Sequence, residues 1–275
     1  MKKTIRLFLI LVILILAGLI LLGGGFGTDR TTQLNKGEVT IFAHKGESEH
    51  HVANSFPAIE RSKKLGFKAI EIDINSTSDG KLILFHDDTC NRLLGIDEKI
   101  RNVNWDSIKN KKLWFDWRPT SYSIVSLEQF LNKLDDSTLI YLDIKAPTKV
   151  MADSLVDILV KFKTHKNILI ANSNLLFLTY MKWNLPSIKT VLEGFDRGKE
   201  WVYYLIPKNF KPNFYACYLK YTDQEHMQFF QQNDLLKNYI IYGVDSSNIS
   251  RVYELGIQNI ILDYTDTLGS LEAIH

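Results

Sequence analysis

Short apolar runs alternate along most of the chain with longer stretches of helical spacing. The runs are rich in β-branched and aromatic residues and predict eight strands, at residues 39–43, 69–75, 139–144, 168–171, 190–192, 214–219, 239–244 and 259–262. Apolar positions between them predict helices at residues 58–65, 127–134, 150–164, 175–183, 223–236 and 247–255. Alternating strands and helices are typical of βα units around a parallel sheet, and eight units suit an α/β barrel.

One departure from this alternation follows the second strand. Residues 82–85 form a further strand candidate, joined to the second strand through Asp79-Gly80, which is a strong hairpin signal. Residues 87–125 then show no clear period and contain Trp105, Trp114 and Trp117. We interpret them as an insertion over the mouth of a (β/α)8 TIM barrel that spans residues 39–275.

The N-terminus has a different pattern, because residues 7–27 carry no charge and follow Lys2, Lys3 and Arg6. A helix of this length spans about 32 Å, enough to cross a hydrocarbon core of about 30 Å. We therefore expect a transmembrane helix in residues 1–28 and a polar linker in residues 29–38. The flanking positive charges favour a single-pass membrane protein in which everything after the helix is extracytoplasmic. The alternative is a signal peptide cleaved near Gly23-Gly24-Gly25, which would release a secreted protein.

Charge and cysteine content narrow the function classes. The formal net charge is +2, and no dense basic run follows the N-terminus, so we expect no nucleic-acid partner. The two cysteines, Cys90 and Cys217, have neither metal-ligand spacing nor the number that a disulfide framework needs.

Candidate chemistry lies first in the second strand, where Glu71 and Asp73 are two residues apart in an apolar run. Strand alternation places both carboxylates on one face, where a cation would relieve their repulsion. Hard oxygen ligands select Mg²⁺, Ca²⁺ or Mn²⁺. Taken alone, the same pattern also fits an edge strand whose acids face water.

Three other predicted strands end in ionisable residues. Asp143 and Lys145 are two apart at the end of one, while His44 and His86 follow two others. A lone histidine at a strand end is more often structural than catalytic. Barrel enzymes, however, place their chemistry at the carboxyl ends of the strands, so the four ends together predict an active site.

Several motifs occur in an order that resembles a known family: Ala43-His44-Lys45-Gly46, Ala53-Asn54-Ser55, Glu71-Ile72-Asp73, Thr77-Ser78-Asp79-Gly80, Phe85-His86-Asp87, Leu142-Asp143-Ile144-Lys145 and Ile260-Ile261-Leu262-Asp263. They resemble the glycerophosphodiester phosphodiesterases, which are TIM barrels. The match is close over residues 41–87 and sparse but collinear to about residue 265.

The resemblance implies a role for each matched residue. Glu71, Asp73 and Asp143 would hold one divalent cation, Mg²⁺ or Ca²⁺, and His44 and His86 would form the general acid and base. The remaining matches would bind the substrate, a small-molecule or lipid-derived phosphodiester; they are Lys45, Asn54 and Lys145. The implied reaction is hydrolysis of a glycerophosphodiester to glycerol 3-phosphate and an alcohol.

The chain departs from the family pattern at several positions. Lys45 stands where the family usually has Arg, which replaces a bidentate fork by a point charge. Ala53 replaces an acid for which Glu47 or Glu49 could substitute. Asp143 is one methylene shorter than the usual Glu, as in the spider-venom phospholipase D enzymes. Two alternatives stay open: phospholipase D-like action on a lysophospholipid or sphingolipid head group, and a non-catalytic binding protein.

Overall fold

The computed structural model describes residues 2–26, 34, 39–135, 137–162 and 167–263. Within them, eight parallel strands form a ring: β1 (Thr40–Ala43), β2 (Ala69–Ser76), β6 (Leu139–Ile144), β7 (Ile168–Asn172), β8 (Lys189–Glu193), β9 (Phe214–Tyr218), β10 (Tyr239–Val244) and β11 (Asn259–Leu262). The ring closes because β1 pairs with β2 on one side and with β11 on the other. Outside it, β3 (Leu82–Leu84) runs antiparallel beside β2, and β4 (Lys112–Phe115) and β5 (Arg118–Ser123) form a separate hairpin.

The helices are α1 (Lys2–Leu22), α2 (Phe56–Lys64), α3 (Asn91–Leu94), α4 (Trp105–Ile108), α5 (Leu127–Lys133), α6 (Lys149–Phe162), α7 (Leu175–Asn184), α8 (Glu200–Leu205), α9 (Gln224–Gln232) and α10 (Ile249–Glu254). Helix α1 precedes the ring, α3 and α4 lie in the insertion, and the other helices cover the outside of the ring. Short 3-10 turns occur at Ile100–Asn102, Lys208–Phe210, Leu219–Tyr221 and Leu236–Asn238. Polar caps start several helices, as where the Ser126 and Gln129 side chains form a capping box at α5.

The predicted barrel and its insertion are confirmed, with differences at element ends. The helix predicted at residues 223–236 ends at Gln232, because Asp234 adopts a left-handed backbone with φ 55°. Helix α8 and the β4–β5 hairpin were not predicted. The end of the helix predicted at residues 150–164 lies outside the described residues, as does the predicted linker at 29–38 apart from Leu34.

Strand alternation divides the core into two layers. Inside the ring, one layer is formed by side chains that include Phe42, Ala69, Tyr141, Leu169, Val191, Phe214, Ile240 and Ile261. Outward-facing strand residues such as Ile70, Ile72 and Ile74 pack against the helices. Full burial of each large aliphatic side chain contributes about 1.5–3 kcal/mol, so this pattern fixes which residues of β2 face the interior. Ala69, Glu71 and Asp73 share the inward face.

The insertion after β3 has a small core of its own. Its buried residues include Cys90, Leu93, Ile100, Ile108 and Leu113, which pack with Val52 from the loop after β1 and with Ile83 and Phe85 beside β2. This packing ties the insertion to the carboxyl ends of the first strands.

Helix α1 stands apart from the barrel except at its end. An 18-residue stretch within Lys3–Leu22 has a mean hydropathy of 3.2 and is 0% buried. Its length and composition therefore allow it to cross a membrane, although a signal sequence near an N-terminus has a similar length and composition.

Candidate active site

Three carboxylates meet at the carboxyl ends of β2 and β6. Glu71 and Asp73 point inward from β2 and are only 3% and 1% exposed. The parallel register places Asp143 of β6 beside Asp73. One carboxylate oxygen from each of the three residues lies within 4.8 Å of the others, so the group could hold a metal ion. Strand alternation predicted the shared face of Glu71 and Asp73, and the family resemblance implied that Asp143 would join them.

The charges of these carboxylates influence one another strongly. Burial raises the pKa of Glu71 well above its usual value, and the neighbouring Asp73 and Asp143 raise it further. Burial also raises the pKa of Asp143. For Asp73, burial works against the charged form, but Lys145 and Lys45 outweigh it and hold the pKa below its usual value. The site therefore favours bound positive charge.

Lys145 supplies part of that charge. Its ammonium group donates a hydrogen bond to Asp143 Oδ2. It also lies 2.8 Å from Asp73 Oδ1, where it forms an ion pair without the geometry of a hydrogen bond. Burial disfavours the charged amine, but Asp73 and Asp143 outweigh it and raise the pKa of Lys145 above its usual value. Lys145 is therefore a fixed cation at the edge of the carboxylate group.

The loop after β1 is shaped around the same carboxylates. Lys45 has a left-handed backbone with φ 60°, and its amide donates to Glu71 Oε2 over 2.8 Å. The next residue must be glycine, because a Cβ on Gly46 would lie 2.8 Å from the backbone of Ala58. The Asn54 side chain donates to Asp73 Oδ2 over 2.7 Å and accepts from the Asp73 amide over 2.9 Å. Asn54 is 2% exposed and so holds Asp73 in place.

His44 is oriented by Asp263, a carboxylate that is far from it in sequence and follows the last strand of the barrel. Its Nδ1 lies 2.7 Å from Asp263 Oδ1, just after β11, and its Nε2 lies 3.8 Å from Glu71 Oε2. Because a carboxylate only accepts hydrogen bonds, this contact places the proton on Nδ1 and leaves Nε2 facing the carboxylate group.

His86 has a matching arrangement built from neighbouring residues. Its Nδ1 lies 2.9 Å from Asp87 Oδ1, and the Arg92 guanidinium of α3 donates to both Asp87 oxygens over 2.9 Å. The β2–β3 register, which pairs Ile74 with Leu84, folds the chain back so that His86 follows at the level of the β2 acids. Burial opposes the charge of Asp87, yet His86 and Arg92 outweigh it and hold its pKa well below its usual value.

The sequence analysis assigned no role to several residues that the structure brings to the site. Asp263 and Asp87 orient the two histidines, and Glu193 at the end of β8 accepts a hydrogen bond of 2.7 Å from the Tyr141 hydroxyl. Burial and the nearby Asp143 raise the pKa of Glu193 to about 8. Glu193 and Asp263 both stand at strand ends, so the rule that located the other acids was the signal for them as well.

Glu47 and Glu49, considered as substitutes for the acid missing at position 53, belong to a neighbouring cluster. Glu47 is 1% exposed, and its two oxygens contact the Nδ1 atoms of His50 at 2.9 Å and His51 at 2.5 Å. Burial opposes its ionisation, but the hydrogen bonds from His51 and His50 keep its pKa below the usual value. The described contacts of Glu47 thus stay within its own loop and α2.

Comparison with known proteins places this geometry in a family. The model of the glycerophosphoryl diester phosphodiesterase family matches residues 44–267. The chain is 27% identical over 147 residues to "Probable glycerophosphodiester phosphodiesterase 2" of Mycobacterium tuberculosis, covering 53% of each protein. It is 24% identical over 160 residues to a glycerophosphodiester phosphodiesterase of Caldanaerobacter subterraneus, covering 54% of this chain and 64% of that one. The chain thus matches somewhat more than half the length of these curated relatives.

A solved structure shares the fold at low sequence identity. A phosphodiesterase of Oleispira antarctica, solved in complex with the product sn-glycerol-3-phosphate, superposes with a TM-score of 0.72 at 18% identity. The superposition covers 84% of this chain and 95% of that one. Since the identity is low, this likeness establishes the barrel architecture alone.

Proposed function

The chain belongs to the glycerophosphoryl diester phosphodiesterase family, and we propose that it hydrolyses a glycerophosphodiester to sn-glycerol 3-phosphate and an alcohol. Two histidines beside three carboxylates support this activity, since each has Nδ1 on a carboxylate and, among the described residues, no hydrogen bond at Nε2. The Oleispira antarctica protein, with its bound sn-glycerol-3-phosphate, supports the same product here.

Hydrolysis of a phosphodiester needs a proton removed from the nucleophile and a proton given to the departing alkoxide. One histidine cannot do both in a single step, so His44 and His86 divide the work. Asp263 and Asp87 keep each ring in one tautomer and stabilise its protonated form as charge develops. Lys45 and Lys145 lie beside the carboxylates and stabilise the negative charge that grows on the phosphoryl oxygens.

The three converging carboxylates fit one divalent cation. Glu71, Asp73 and Asp143 offer hard oxygen ligands, which Mg²⁺ and Ca²⁺ prefer over softer donors. When bound, the cation supplies positive charge that polarises the phosphoryl oxygens. Asn54 fixes the Asp73 ligand, and the Lys45 amide fixes the Glu71 ligand.

A substrate panel with metal control tests the proposal. The purified full chain in detergent should release glycerol 3-phosphate from glycerophosphodiesters, lose activity in chelator, and regain it with Mg²⁺ or Ca²⁺. Asp143→Asn should require at least about 10-fold more cation for half activity. Asp153→Asn, which changes an exposed acid on α6 outside the site, serves as the matched control.

Two results would overturn parts of this proposal. Full activity of protein shown by elemental analysis to be metal-free would exclude the metal role. Turnover of lysophospholipids or sphingolipids with no turnover of any glycerophosphodiester would replace the proposed substrate by a lipid head group.

A further inference from the structure

The end of the barrel opposite the active site carries a concentration of positive charge. Six basic residues lie where strands begin or where helices end just before them: Arg61, Lys64, Lys68, Lys161, Lys189 and Lys208. We call this set the basic face. Within the described part of the chain, none of the six forms a side-chain ion pair.

Local structure accounts for only part of this charge. Lysine and arginine are favoured in the last turn of a helix because they complement its dipole, which applies to Arg61, Lys64 and Lys161. Lys68 and Lys189 lie at the starts of β2 and β8 and have no such reason. Both line one hollow at the open N-terminal end of the ring.

Among the described residues, acids at this end compensate the charge only in part. Asp135 pairs with Lys63 and Asp234 pairs with Lys237, so these acids are engaged by lysines outside the basic face. Glu254, at the end of α10, stands exposed at the same end.

The apolar N-terminal helix meets the barrel at this same end. The amide of Lys208 donates to the Gly25 carbonyl over 2.9 Å, and the amide of Asn209 donates to the Gly23 carbonyl over 2.9 Å. The Asn209 side chain donates to the Leu22 carbonyl over 3.0 Å, which satisfies a carbonyl left open at the helix end. The approach is close, because a Cβ on Gly24 would lie 2.9 Å from the Asn209 side chain.

Exposed aromatic side chains border the junction. Trp183 is 60% exposed, packs against Phe210 at a ring distance of 6.4 Å, and lines one hollow with Leu22. Tyr204, at the end of α8, is 56% exposed. Tryptophan and tyrosine are enriched at membrane interfaces, where an apolar ring and a polar edge are both accommodated.

We propose that the basic face rests on an anionic phospholipid surface, with α1 as the membrane span and the active site opening away from the bilayer. Positive charge, interfacial aromatic residues and an apolar helix of membrane-spanning length all occur at one end of the barrel. The catalytic residues stand at the other end, roughly 15–25 Å away along strands of this length. If the proposed function holds, this orientation favours phosphodiesters that arrive from water over those still anchored in the bilayer.

Fluorescence quenching in reconstituted vesicles tests this orientation without relying on activity. A label on the full chain would be attached through Asn184→Cys at the basic end or through Trp117→Cys on the insertion at the active-site end. Both native cysteines are buried, so a polar reagent leaves them unlabelled. With a quencher on the lipid head groups, the label at position 184 should be quenched more strongly than the label at position 117. Adding phosphatidylglycerol to phosphatidylcholine vesicles should widen the difference.

Charge-reversal variants distinguish an effect of the basic face on docking from an effect of the protein's net charge. Each basic residue near an anionic surface raises the ratio of docked to undocked domain about fivefold, so reversing three of them in Lys64→Glu/Lys68→Glu/Lys161→Glu should lower that ratio by at least about 100-fold. The matched control, Lys109→Glu/Lys111→Glu/Arg118→Glu, makes the same net change at the active-site end and should leave the ratio unaltered. Equal quenching at both positions, no effect of phosphatidylglycerol, or equal losses in the two triple variants would overturn the proposal. Activity on soluble substrate reports separately on the proposed function.

Discussion

The two histidine positions of the site present the same chemical unit, assembled in different ways. His44 follows β1 and takes its carboxylate from Asp263, after the last strand of the ring. His86 follows β3 and takes its carboxylate from the next residue, Asp87, which Arg92 of the insertion holds by two hydrogen bonds. In both, Nδ1 contacts a carboxylate oxygen, and the structure shows no hydrogen bond from Nε2 to a described residue.

The difference shows which parts of the fold each histidine depends on. The His44 contact requires the β1–β11 pairing, in which Ala43 stands beside Leu262 and the His44 amide donates to the Leu262 carbonyl over 3.2 Å. The His86 contact requires only a short hairpin and one turn of helix from the insertion. One histidine contact therefore depends on closure of the barrel, and the other on the insertion outside it.

Removing either imidazole should have the largest effect on kcat. His44→Ala and His86→Ala should each lower kcat by at least about 100-fold, because proton transfer by a placed histidine contributes about 10²–10⁴-fold. The double variant should lose much less than the product of the single losses, since the two act as a unit. Steady-state kinetics with bound metal measured by elemental analysis would check this. Activities within about threefold of wild type for both variants would assign the histidines a structural role.

An activated leaving group should then distinguish the two positions. A nitrophenyl phosphodiester expels nitrophenolate without needing a proton, so it should restore most of the lost rate to whichever variant lacks the general acid. The other variant should stay impaired, because it still lacks the base that acts on the nucleophile. Equal rescue of both variants, or of neither, would contradict a divided acid and base.

Changing the orienting carboxylates should have a smaller effect. Asp263→Asn and Asp87→Asn each offer an amide that can present its own N–H to Nδ1 and favour the wrong tautomer, so each should lower kcat by about 10–100-fold. Thermal unfolding should change little for Asp263→Asn, whose side chain is 31% exposed and keeps its shape. If either variant keeps wild-type kcat, the tautomer of that histidine is fixed by something other than the carboxylate.

The smallest effect is expected from the arginine that holds Asp87. Arg92 is 54% exposed, so Arg92→Ala should reduce kcat only a few-fold and stability by less than about 1 kcal/mol. Because the pKa of Asp87 is lowered in the folded state, its stabilisation is present above the unfolded pKa and is lost on acidification. Arg101→Ala is the matched control, since Arg101 pairs with Asp88 on the same insertion without reaching a histidine. An equal loss of kcat in both variants would indicate a general effect of the insertion.

The sequence predicted the parts of the site that depend on local geometry. Strand alternation placed Glu71 and Asp73 on one face, and the Asp79-Gly80 signal predicted the hairpin whose return strand precedes His86. The partnership of His44 with Asp263 is not local: it arises where closure of the predicted barrel makes the first and last strands neighbours, and the orienting role of Asp263 was not predicted. Local periodicity carries no information on that pairing.

The β4–β5 hairpin was missed for a different reason. Its turn places Asp116 and Trp117 at φ 47° and 61°, a conformation for which Asn-Gly is the usual sequence signal. A tryptophan in that conformation gives no such signal. The buried contacts of the insertion, among them Leu113 and Ile124, hold the flanking strands in place.

The contact between His44 and Asp263 joins residues that are synthesised at very different times. A nascent chain contains both histidines and all three converging acids well before it contains Asp263. Until the final strand has emerged and docked between its two neighbours, His44 has no carboxylate to fix its tautomer. Under the proposed mechanism, full activity would therefore require the final strand, and a chain clipped before it would lack the carboxylate that orients His44.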